Sequence, residues 1–70
     1  MERESVDSSN ISSIGYDEEQ QLLEIEFLNG AIYQYTDVPL DVYNNLMNAS
    51  SHGSYLAHNI KGTYQYNQIG

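Results

Sequence analysis

Ten carboxylates, seven tyrosines and two histidines are the residues of this chain with the most chemistry to offer. Glu24 and Glu26 stand two apart, a spacing that aims both side chains to one side of a strand. General acid–base catalysis uses such carboxylate pairs, but on the polar face of a hairpin they serve solubility and edge protection instead. The second account is the simpler, because no base or nucleophile is placed beside them. His52 and His58 flank Gly53 and so miss the i, i+4 pairing of a metal-binding helix. There is no cysteine, which removes a thiolate zinc site and any disulfide. Ser8, Ser9, Ser12, Ser13, Ser50, Ser51 and Ser54 form no Gly-x-Ser-x-Gly elbow and read as turn and cap residues, with Ser51 or its neighbour capping a helix. The expectation is a protein that is not an enzyme, with no catalytic residues, cofactor or metal.

Tyrosines and one cation remain as candidates. Tyr33, Tyr35, Tyr64 and Lys61 are the expected binding surface. Exposed rings would make a stacking platform, in which each base contributes about 1–3 kcal/mol. Buried rings would be core.

A hairpin decides between these outcomes. Leu23, Ile25 and Phe27 alternate with Glu24 and Glu26, and Asn29-Gly30 follows, a strong turn signal. A two-residue loop of Asn29-Gly30 pairs Phe27 with Ile32 and puts Tyr33 and Tyr35 on the Glu24/Glu26 face. A three-residue loop of Leu28-Asn29-Gly30, with Gly30 left-handed, pairs Phe27 with Ala31, Ile25 with Tyr33 and Leu23 with Tyr35. Turn statistics favour the first and apolar economy the second, since each ring buries on the order of 150–250 Å². A slip of one residue moves both rings across the sheet.

Around the hairpin the pattern predicts a strand over 9–16, with Ile14 and Tyr16 on one face, Ile11 out of phase and Gly15 marking a bulge. Further strands are expected over 22–27 and 31–36. Val38-Pro39 then stops the sheet. Val42, Tyr43, Leu46 and Met47 recur at helical spacing over 40–48, and a second helix fits 54–60, ended by Gly62. Thr63-Tyr64-Gln65-Tyr66 is a possible short fourth edge strand. Strands followed by helices give α+β: a three-stranded antiparallel meander packed by two short C-terminal helices. Residues 1–8 read as a flexible lead-in, 9–66 as a single domain and 67–70 as a tail.

The formal charge is −8, with Arg3 the only arginine and Lys61 the only lysine. Nucleic-acid affinity rests on Lys and Arg contacts to phosphate, so this balance disfavours RNA and points to a protein partner. No apolar run approaches a membrane span, and the N-terminus lacks the pattern of a signal peptide, so a cytoplasmic monomer or weak dimer is expected.

Ser9-Asn10-Ile11, Ile14-Gly15-Tyr16-Asp17, Phe27-x-x-Gly30, Tyr33-x-Tyr35, Val38-Pro39, Ala49-Ser50-Ser51-His52-Gly53 and Asn59-Ile60-Lys61 followed by Tyr64 occur in an order that resembles the KTSC domain. The resemblance runs from about Ser8 to Tyr66. That family is named for the C-terminus of some lysyl-tRNA synthetases and also occurs as stand-alone bacterial or phage proteins. The resemblance implies an unestablished function, a suggested role in RNA binding, and Tyr33 and Tyr35 as the named feature. It supplies no catalytic residues.

Overall fold

The computed structural model describes residues 1–70. Its strands are β1 (Arg3–Ser5), β2 (Ile11–Asp17), β3 (Leu22–Phe27), β4 (Ile32–Tyr35) and β5 (Tyr66–Gln68). Between β4 and β5 come α1 (Leu40–Asn48), α2 (His52–Tyr55) and a π-helical turn, Leu56–Ile60. The strands pair in chain order as one antiparallel sheet. The protein is therefore α+β, with five strands where the sequence pattern suggested three and a possible fourth.

The longer loop closes the central hairpin. Leu23 pairs with Tyr35 and Ile25 with Tyr33. The Phe27 N–H donates to the Ala31 carbonyl at 2.8 Å, and the Gly30 N–H donates back to Phe27 at 2.9 Å. Gly30 has φ +92°, the left-handed value that glycine adopts without a Cβ clash. The Asn29 side chain accepts from the Ala31 N–H at 3.0 Å and braces the turn.

That register fills one face with apolar groups. Ile11, Ile14, Leu23, Ile25 and Tyr35 pack against Val38 from the β4–α1 connection and against Leu46, Leu56 and Ile60 from the helical layer. Each buried aliphatic side chain contributes about 1.5–3 kcal/mol by leaving water. Ile11 joins this face because an extra residue enters β2: Ile11 opposes Phe27 but Ser13 opposes Glu26. The bulge expected at Gly15 therefore lies at Ser12. Gly15 has another task, since a Cβ there would sit 2.8 Å from the Glu2 carbonyl oxygen and push β1 away.

Both ends of the expected domain are corrected. The flexible lead-in contains β1, and the tail beyond Tyr66 is paired: Ile69 N–H donates to the Ile32 carbonyl at 2.8 Å, and Ile32 N–H donates to Gly70 at 3.2 Å. Edge strands with every residue exposed leave no alternating pattern to read. The second helix starts earlier than expected, where the Ser51 hydroxyl accepts from the Ser54 N–H.

On the outer face, register aligns Arg3, Gly15, Glu24, Gln34 and Asn67 across all five strands. Arg3 Nη1 donates to Glu24 at 2.5 Å, and Gln34 donates to its other oxygen at 2.8 Å. Arg3 Nη2 lies 3.9 Å from Glu26, which accepts from Ser13 at 2.9 Å. Glu24 is only 8% exposed, so the expected solvated carboxylate pair is in fact a partly buried ionic latch for β1. Arg3→Ala should cost about 1–3 kcal/mol by leaving that carboxylate short of a charged donor. Urea unfolding checks this, and a loss under about 0.5 kcal/mol would mean that the latch contributes nothing.

Candidate binding surfaces

Hairpin register places Tyr33 next to Phe27, where the rings meet edge to face with centroids 5.4 Å apart. β5 then brings Tyr66 onto Tyr33, stacked at 5.0 Å with planes 8° apart. Tyr35 lies behind them, 5.6 Å from Tyr66. The row grades from sealed to open: Tyr35 is 1% exposed, Tyr33 half-buried and Tyr66 54% exposed. At its far end the Lys61 ammonium stands 5.5 Å from the Phe27 ring centroid, a favourable cation–π contact. Ser9, Asn10, Leu28 and Asn29 complete a shallow depression around Phe27 and Lys61.

Of the expected binding residues, Tyr33 and Lys61 thus meet through Phe27. Tyr35 is core. Tyr64 is half-buried against the core and borders a separate depression with Thr63, Gln65 and Tyr66. Phe27 and Tyr66 were not among the expected residues; the second Tyr-Gln-Tyr at 64–66 was the available signal for Tyr66.

Burial first, then the neighbouring Tyr33 and Tyr66, pushes the Tyr35 phenol up to about 12. An unfolded tyrosine ionises near 10, so between those values the unfolded chain releases the proton and the folded chain keeps it. The contribution is complete below pH 10 and is lost as pH rises through the folded value. With about 1.4 kcal/mol per pK unit, roughly 2–3 kcal/mol is at stake. Urea midpoints measured upward from pH 9 should fall less for Tyr35→Phe than for the parent; equal slopes would remove the assignment.

A second aromatic pair joins β2 to α1, in the same cross-strand row as Leu23, Tyr35 and Tyr66. Tyr16 on β2 and Tyr43 on α1 stack at 4.6 Å with planes 8° apart. The Tyr16 hydroxyl donates to the Val38 carbonyl at 2.5 Å, fastening the turn before α1 to the sheet. Desolvation raises the Tyr16 phenol, and Glu18, Asp41 and Asp17 add to the rise. One shallow depression beside Tyr16 is bordered by Met1, Asp17, Glu18 and Glu19. Another is bordered by Glu2, Arg3, Glu4, Ile14 and Tyr43. In the sequence 17–21 reads as a solvated turn, and nothing in its letters signals that Asp17, Glu18 and Glu19 converge with Met1.

The histidines are engaged locally. His52 Nδ1 lies 2.8 Å from the Leu46 carbonyl, and His58 Nδ1 lies 2.8 Å from that of Ser54. No helix is long and apolar enough to cross a membrane.

A one-sheet meander with a short helical cover on one face, carrying two aromatic clusters, defines a small α+β domain. The KTSC domain model matches residues 7–64, and the chain belongs to that family. The crystal structure of a KTSC domain protein from Yersinia pestis superposes with a TM-score of 0.93 at 43% identity, covering 99% of this chain and 97% of that one. An uncharacterized protein of Stutzerimonas stutzeri is 49% identical over 53 residues, 76% of this chain and 75% of its own length. A lysine–tRNA ligase of a Nostoc species is 41% identical over 63 residues, 90% of this chain but 11% of the ligase.

Proposed function

We propose that this chain is a non-catalytic cytoplasmic binding module whose partner is a protein. The observation that carries this reading is the use made of its one arginine and its one lysine. Arg3 is committed to Glu24 and Glu26, and Lys61 stands over Phe27. Against a net charge of −8, that leaves little with which to hold a phosphate backbone.

A second reading, RNA binding, is favoured by the likeness to a segment of lysine–tRNA ligases and by the Phe27–Tyr33–Tyr66 row next to Lys61. Fluorescence anisotropy with labelled tRNA separates the two. The protein reading expects no binding even at low salt. Micromolar or tighter binding that weakens steeply with salt would overturn it in favour of RNA.

A further inference from the structure

We propose that the surface on either side of Tyr16 is a docking groove for an extended, arginine- or lysine-bearing segment of a partner protein; this rests on the protein-binding reading above and names the partner's chemistry. Tyr16 is shared by both depressions, with Asp17, Glu18 and Glu19 on one side and Glu2 and Glu4 on the other. The stack on Tyr43 supplies an aromatic floor, the surface on which a guanidinium or ammonium group settles best. Arg3 borders the groove, but its guanidinium is turned to Glu24 and Glu26 on the outer face of the sheet and does not neutralise these carboxylates.

An extended occupant follows from the topology. β1 is the first strand of the sheet and pairs on one side only, so its other edge offers free backbone groups for strand addition. Alternate side chains of an added strand project the same way about 7 Å apart, which lets two basic side chains reach the carboxylates on the two sides of Tyr16. Charge rules out the competing occupants: a second copy brings another −8, and a nucleic acid meets the same carboxylates with phosphates.

The test uses the full chain, labelled with nitrogen-15, titrated with an acetylated and amidated (Gly-Arg)4 peptide and, separately, with tRNA. Peptide should shift the amides of Glu4, Tyr16, Glu18 and Tyr43, and binding should weaken with salt. Glu2→Gln and Glu18→Gln should each weaken it about threefold and together about tenfold. Asp7→Asn removes the same charge elsewhere and should change it by less than about twofold. Equal losses in all three variants would reduce the effect to a general field and overturn the groove. Peptide shifts confined to Phe27, Lys61 and Tyr66 would also overturn it while leaving a protein-binding module in place. No peptide binding at low salt ends the groove proposal, and binding of tRNA alone ends the parent reading with it.

Discussion

Tyr35→Ala is expected to destabilise the protein by about 3–5 kcal/mol, as removal of a buried aromatic ring from a packed core does. The ring sits opposite Leu23 and is enclosed by Tyr33, Tyr66 and the aliphatic cluster, so its loss leaves a cavity that the sheet cannot close. A chain of 70 residues commands only about 4–10 kcal/mol in total. With a urea slope near 1 kcal/mol per molar, the midpoint should fall by about 3 M or more. Tyr35→Phe keeps the ring and should remain within about 1 kcal/mol of the parent. A cost below about 1 kcal/mol for the alanine would show that the ring lies outside the core, and the hairpin would have to be rebuilt on the two-residue loop.

This residue also shows how far local sequence reaches. Asn29-Gly30 announces a turn, yet the same letters serve both loops, and local turn preference points to the loop that does not form. What selects the register is the apolar area of Phe27, Tyr33 and Tyr35 on one face; the loop leaves Leu28 61% exposed as its cost. The misfit between Ile11 and Ile14 correctly implies an extra residue in β2. Its position is hidden, because nothing in the letters marks Ser12 as the inserted residue, and Gly15 instead leaves room for the N-terminal segment.

The edges are legible only in part, the possible strand over 63–66 meeting β5 at Tyr66 alone and β1 not showing at all, for a related reason. β1 is held by an ion pair between residues 21 apart, and β5 by a ladder to a strand more than 30 residues away. Neither has a buried face of its own, so neither shows an alternating pattern. The binding surfaces divide along the same line. Tyr33 and Lys61 could be singled out by type, whereas Phe27 under Lys61, Tyr66 on Tyr33 and Tyr43 on Tyr16 are contacts made only once sheet and helices assemble. The π-helical turn at 56–60 likewise has no marker in its letters, although it delivers both Leu56 and Ile60 to the core.

Leu46→Ala should be the most damaging change in the helical layer, at about 2–5 kcal/mol. α1 spans nine residues, too few to hold a helix alone in water, so its stability comes from the face it buries. Leu46 is the only fully buried residue on that face; Val42, Tyr43 and Met47 are half-buried around it. Its carbonyl also meets His52, so the position joins α1 to the start of α2. Losing the side chain should loosen α1 from the sheet and weaken the Tyr16–Tyr43 stack along with it. Asn45→Ala, next in sequence but exposed, should stay within about 0.5 kcal/mol and serves as the control. Urea unfolding followed by far-ultraviolet circular dichroism reads the first effect, and the Tyr16 and Tyr43 ring signals in proton NMR read the second. If Leu46→Ala were to behave like Asn45→Ala, the helical layer would be anchored through Leu56 and Ile60 alone, and the aromatic floor beside Tyr16 would lose its support from α1.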